Sequence, residues 1–221
     1  PAIISAYGAG DYVQVQKRVR YVCKIGSWCV AVFAIPLSVE IDEVLRLWLV
    51  HPPEFTAGLC LLALAVALID RMTYGCAIAV HASGKLAGYQ SVVATLFLLA
   101  FPLAYVFCEM GKSVYWIGGA LLIARGSCAM ARLVMARRVS GLGVRVWART
   151  IALPLLFLYG VSFGGGLLIR EALTPSFFRV VMTTAGCEAV LFFGAWFLLL
   201  TGEDRAGILA KAVQLKRWRR A

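Results

Sequence analysis

Apolar residues in this chain run in long stretches rather than in a repeating amphipathic pattern. Six stretches reach the roughly 20 mainly apolar residues that a helix needs to cross a hydrocarbon core of about 30 Å. They fall at 19–39, 56–80, 89–108, 114–136, 150–169 and 177–200. None alternates with period two, and each is too long for a barrel strand, so the pattern predicts helices. Pro36, Pro102 and Pro154 lie inside or near the ends of these spans. They would break soluble helices, but membrane helices tolerate them. The predicted fold class is all-α, a polytopic membrane protein. Its six-helix lobe covers 19–200, between a cytoplasmic elbow at 1–18 and a basic tail at 201–221.

Two segments read as interfacial. Ile41, Val44, Leu45 and Trp48 recur at i, i+3, i+4 and i+7, one face of a helix, while Asp42, Glu43 and Arg46 take the other face. Trp48 suits the headgroup level. The tail 205–220 mixes Ile208, Leu209, Val213, Leu215 and Trp218 with basic residues. Two readings stay open for it: a helix lying on the anionic inner leaflet, or a frayed stop-transfer tail.

Composition agrees with the pattern. Of 221 residues, 62% are hydrophobic and 15% charged, and the mean hydropathy is +0.84. Soluble domains run near about 45–50% apolar and about 25% charged, which excludes a water-soluble globular enzyme. The net charge of +11 is read against a membrane, where Lys and Arg report topology. If the first span leaves the cytoplasm, sixteen of the 22 Lys/Arg lie in or beside inside segments. Four (Arg46, Lys112, Arg170 and Arg179) lie outside, and Arg71 and Arg125 fall within spans. This split puts both ends in the cytoplasm and removes nucleic acid as a partner. The chain begins with Pro and has no signal-peptide layout, as the interior of a longer chain would.

The seven cysteines form no CxxC pair, and the two histidines, His51 and His81, lie far apart without an HExxH. The sequence therefore points to no metal and no cofactor. Gly160-Val161-Ser162-Phe163-Gly164 matches GxSxG, but that motif needs a strand-to-helix turn, and here it lies inside an apolar stretch. A membrane protease would need Ser162 with His81, and these are expected at different depths. Close helix approach through Gly160, Ser162, Gly164, Gly165 and Gly166 explains the segment better. No catalytic residue is expected.

Ionisable residues at mid-span are costly and usually face a bundle interior or a watery cavity. Four qualify: Asp70 and Arg71 in the second span, Arg125 in the fourth and Glu188 in the sixth. Adjacent Asp70 and Arg71 point about 100° apart. Asp70 can pair with Arg125, or Arg125 and Arg132, seven apart, can form a basic stripe on one face. Such charges either neutralise one another for packing or line a polar pathway.

The connecting segments then carry a resemblance. The opening PAIISAYGAGDY resembles the cytoplasmic elbow after the eighth helix of polysaccharide flippases. These are Wzx-type exporters of O-antigen and other lipid-linked oligosaccharides, in the MATE-like (multidrug/oligosaccharidyl-lipid/polysaccharide) superfamily. Pro36, Glu40 and Val44-Leu45-Arg46-Leu47-Trp48-Leu49-Val50 with Pro53-Glu54 are similar to that family's "LWL…PE" segment. Ala79 to Gln90, with Ser83-Gly84-Lys85 and Tyr89-Gln90, is similar to its cytoplasmic loop. The likeness covers residues 1–150; the last two spans match in hydropathy alone.

The resemblance implies one lobe of a two-lobe, alternating-access transporter of the bacterial inner membrane. Its partners would be membrane lipids, a preceding N-terminal lobe of the same protein, and an undecaprenyl-diphosphate-linked glycan substrate for polysaccharide or lipopolysaccharide biosynthesis. Arg71 and Arg125 are then the candidates for the diphosphate. Asp70 and Glu188 are the candidates for ion coupling or for holding those arginines. The alternatives are a MATE-type multidrug/cation antiporter and a non-transporting membrane scaffold of a glycan-assembly complex.

Overall fold

The computed structural model describes residues 2–49, 51–84 and 86–200, together with 202 and 205. The basic tail, for which two readings stay open, and Lys85 lie outside the described residues, positions 202 and 205 excepted. The protein is 87% helical without strands among the described residues. Its helices are α1 (Ala2–Gly8), α2 (Tyr12–Val39), α3 (Ile41–Leu49), α4 (Thr56–Met72), α5 (Tyr74–Ala82), α6 (Leu86–Leu98), α7 (Ala100–Glu109), α8 (Tyr115–Ser140), α9 (Val144–Trp147), α10 (Leu153–Ala172) and α11 (Phe177–Gly194). Among the described residues five helical runs are long and apolar enough to cross a membrane, six if the bent pair α4–α5, which passes the same test together, is counted as one span. This is a multi-pass membrane protein.

The predicted spans are all present, with three differences of physical interest. First, α2 starts at Tyr12 rather than near residue 19, because the Asp11 carboxylate caps it by accepting from the Gln14 N–H at 3.0 Å. Hydropathy registers the apolar part of a helix, not its polar first turns. Second, α6 and α7 form one span, interrupted at Leu99. Pro102 lies one turn inward and cannot donate to the Leu98 carbonyl.

Third, the second span is broken. Thr73, at φ −114° and ψ 1°, leaves the helical well, and α4 and α5 meet at 43°. A break inside a membrane leaves backbone groups that water cannot satisfy. The Met72 carbonyl is satisfied by the indole N–H of Trp147 at 3.1 Å. Gly75, just past the break, lets α5 lie directly on α2, since a Cβ there would sit 2.6 Å from the Val19 carbonyl oxygen.

Successive spans alternate in direction. At one end Phe55 packs edge-on against Tyr115, and Arg170 and Arg179 meet the α2–α3 junction. At the other end Gln16 bonds the Ser140 carbonyl, Lys24 the Leu199 carbonyl, and His81 packs on Tyr89. Arg170 and Arg179, assigned outside, thus lie at the end opposite Lys24, assigned inside.

Packing is uneven. α2 is the hub, contacting α1, α4, α5, α10 and α11, and its buried Val15, Val19, Cys23 and Val39 join Cys76, Val80, Leu133, Ile151 and Leu155 in one core. α10 and α11 pack closely at Gly166, Gly186 and Gly194, where a Cβ would meet Cys187, Ile169 or Leu158 within 2.6 Å. Of the small residues expected to permit close approach, Ser162 and Gly166 do so, whereas Gly160, Gly164 and Gly165 have open space beside them. By contrast, α4 buries just Met72 and α7 buries nothing among the described residues. These helices lean against α8 and leave a groove.

Candidate functional site

The break in the second span puts Asp70 at the end of α4, facing α8. Arg132 Nη1 donates to Asp70 Oδ1 at 2.7 Å and to Thr73 Oγ1 at 3.3 Å. Arg125, two turns earlier on the same face of α8, brings Nη1 to 3.8 Å from Asp70 Oδ2. The two pairings left open by the sequence thus coexist. Arg125 and Arg132 form the stripe, and Asp70 stands between them, hydrogen-bonded to Arg132 rather than to Arg125. Two guanidiniums share one carboxylate, so the cluster carries an excess positive charge.

The two arginines differ in what they leave open. Arg132 is 9% exposed, and its contacts staple α8 to the end of α4 and to the break at Thr73. Arg125 is 31% exposed and lies 4.2 Å over the Phe97 ring. It makes no hydrogen bond among the described residues, and its Nε is buried without a partner. Tyr115 opens α8 and Arg125 lies ten residues on, about 15 Å at 1.5 Å per residue, near the middle of a hydrocarbon core.

The other sequence candidates are not part of this cluster. Arg71 points away from Asp70, exposed, with its guanidinium 5.0 Å over the Tyr74 ring. Glu188 is half-buried on α11, whose packing partners are α10 and α2, and it has no hydrogen bond or ion pair among the described residues. The structure therefore groups Asp70 with Arg125 and leaves Arg71 and Glu188 apart.

Sequence reasoning missed a second charged cluster. Glu40, 1% exposed, ends α2; Arg179 Nη2 donates to its Oε2 at 2.9 Å and Thr183 Oγ1 to its Oε1 at 3.0 Å. Glu43 stands 3.8 Å from the same guanidinium, while Arg170 donates to the Val39 carbonyl at 2.7 Å and meets Asp42 at 3.2 Å. The helix expected at residues 41–50 is present as α3, but Ile41 and Leu45 are buried in the protein and Trp48 is 78% exposed. Asp42 and Glu43 pair with arginines, Glu43 mostly withdrawn from the surface and Asp42 still exposed. The signal was present in the sequence, since three acids at one loop face two arginines at another loop on the same end. Counted for topology alone, Arg170 and Arg179 lost their partners.

Ser162 is fully buried inside α10, and its hydroxyl donates to the Cys187 carbonyl at 3.0 Å. It joins α10 to α11 within a continuous helix and does not sit on a strand-to-helix turn. All seven cysteines are free, and no group of three metal-ligating side chains occurs among the described residues.

An all-helical multi-pass membrane protein with a broken span and a charged cluster at membrane depth is the class these features define. No family model, no curated protein and no solved structure matches the chain.

Proposed function

We propose that this chain is one lobe of a MATE-like transporter that flips undecaprenyl-diphosphate-linked oligosaccharide across the bacterial inner membrane by alternating access. The supporting observation is the broken second span with Asp70, Thr73, Arg132 and Arg125 at its bend. Interrupted helices at membrane depth are where transporters of several folds build their substrate and ion sites, because only there can irregular backbone and charge be paired. The excess charge is positive, which favours an anionic solute over the cationic drugs of the antiporter reading. On this reading Arg125 receives the diphosphate, with Arg71 as a second, peripheral contact, and Asp70 orients the arginines. Both ends of the chain face the cytoplasm, from the distribution of Lys and Arg, and a preceding lobe completes the cavity.

The test is surface glycan in a strain carrying Arg125→Ala or Asp70→Ala at normal protein levels. Loss of surface polysaccharide with accumulation of the lipid-linked repeat unit supports flipping. Unchanged surface polysaccharide with both variants refutes it and leaves the scaffold reading.

A further inference from the structure

Two of the four buried cysteines lie against each other. Cys23 on α2 and Cys76 on α5 are both 0% exposed and belong to one core. Gly75 brings their helices into backbone contact, since a Cβ there would stand 2.9 Å from Cys23 Sγ and 3.3 Å from Cys23 N. A disulfide needs that closeness: its Cα atoms usually lie about 4.4–6.8 Å apart, whereas the axes of packed helices stay about 8–10 Å apart. The pair also lies near one end of the protein. Lys24, next to Cys23, bonds the Leu199 carbonyl there, and Cys76 is five residues before His81, about 7.5 Å of helix rise.

The start of α5 decides which sulfur gathers the hydrogen bonds. Thr73 occupies the N-cap and makes no side-chain capping bond. The second and third N–H groups of a helix are the ones a cap satisfies. Here they belong to Gly75 and Cys76, and both donate to Cys23 Sγ, the Cys76 N–H also reaching the Thr73 carbonyl at 3.0 Å. The Cys76 S–H donates to the same sulfur. Cys23 thus replaces the missing cap and collects three donors around one sulfur atom. Cys128 and Cys187 are arranged the other way, each donating its S–H to a carbonyl at 3.5 Å. A cysteine attacks an oxidant through an electron pair on sulfur. The donors aimed at Cys23 make it the attacking sulfur and leave Cys76 beside it to complete the bond.

We infer that Cys23 and Cys76 are a redox-active dithiol that a hydroperoxide closes to a disulfide, locking α5 onto α2. Cys23 sulfur attacks a peroxide oxygen, the O–O bond breaks, and the thiol proton leaves with the departing hydroxide as water. Cys23 is then a sulfenic acid. Cys76 sulfur attacks that sulfur, the S–S bond forms, the S–O bond breaks, and the Cys76 proton leaves with the hydroxyl as a second water. The two thiols have lost two electrons and two protons, and the peroxide has been reduced to two waters. A dithiol reductant reverses the bond by exchange. Cys76 lies one turn beyond Thr73, whose hydroxyl accepts from Arg132, so the bond fixes the broken span beside its ion cluster. On the transport reading this lock stops alternating access; that consequence rests on the reading, and the disulfide does not.

Purified protein in nanodiscs is treated with hydrogen peroxide, quenched, denatured, blocked with N-ethylmaleimide and digested. Mass spectrometry then finds a peptide linked through Cys23 and Cys76, which a dithiol reductant removes. In Cys76→Ser, dimedone traps the sulfenic acid on Cys23, whereas Cys23→Ser gives no dimedone adduct on Cys76. The wild-type measurement needs neither variant to fold. Recovery of both cysteines as free thiols, at a dose that oxidises the exposed Cys29 and Cys108, overturns the inference. An adduct on Cys76 in Cys23→Ser, with none on Cys23 in Cys76→Ser, overturns the order of attack. Flipping of a prenyl-diphosphate-linked sugar is measured in proteoliposomes of the same samples. Peroxide stops it, the reductant restores it, and Cys76→Ser keeps flipping in peroxide. Undiminished flipping by the linked protein overturns the lock, whereas no flipping by the reduced protein refutes transport and leaves the dithiol standing.

Discussion

Removing one partner of the Glu40–Arg179 pair isolates what holds the α2–α3 junction to α11. Both side chains are withdrawn from the surface, Glu40 at 1% and Arg179 at 8% exposure. Arg179→Met leaves the Glu40 carboxylate with one neutral donor, Thr183 Oγ1 at 3.0 Å. Stripping a buried charge of its counterion typically costs about 3–5 kcal/mol, because the desolvation penalty stays and the Coulombic return is lost. Glu40→Leu is milder, since Glu43 stands 3.8 Å from the guanidinium and can take it over; about 2–3 kcal/mol is expected, near the value of charged hydrogen bonds. Glu40→Leu with Arg179→Met removes both charges and leaves an apolar contact, which is commonly neutral to within about 1 kcal/mol. The double variant is thus more stable than Arg179→Met, with a coupling energy of several kcal/mol. Denaturant unfolding in mixed micelles, followed by tryptophan fluorescence, measures all four species. If the two single losses simply add in the double variant, the pair is not coupled and the reasoning fails.

Two further outcomes are expected. Gly75→Ala forces a Cβ to 2.6 Å from the Val19 carbonyl oxygen and 2.9 Å from Cys23 Sγ, which costs about 1–3 kcal/mol by overpacking. Gly88→Ala, with nothing within 4 Å, is neutral or slightly stabilising, and the same unfolding assay compares them. Ser162→Ala deletes the bond to the Cys187 carbonyl and lowers stability by about 1 kcal/mol. On the proposed transport reading it leaves surface glycan unchanged, and loss of glycan at unchanged stability would reopen the nucleophile reading of GxSxG.

Hydropathy is a local property, summed along a window of chain, and so the spans were legible residue by residue. The distribution of basic loops along the chain was legible for the same reason; in the fold Arg170 and Arg179 lie at one end and Lys24 at the other. The cost of ionisable groups in hydrocarbon singled out Asp70, Arg71, Arg125 and Glu188, but cost alone does not choose partners. It gave the same weight to Arg71, which turns outward onto Tyr74, as to Arg125.

What the tertiary structure decided depends on how each helix is rotated and how far it is shifted along its neighbour. Trp147 reaches the Met72 carbonyl across 75 residues, and Arg179 reaches Glu40 across 139. No Pro or Gly stands at Thr73 to announce the break; a side chain from a distant helix stabilises it. By itself the chain determined its long apolar helices and the loops in which its charges collect. Packing decided which arginine would take Asp70's carboxylate and which would keep its donors open beside a groove. The difference is physical: burial of apolar surface is additive and directionless, whereas a hydrogen bond or ion pair exists only where two particular atoms meet.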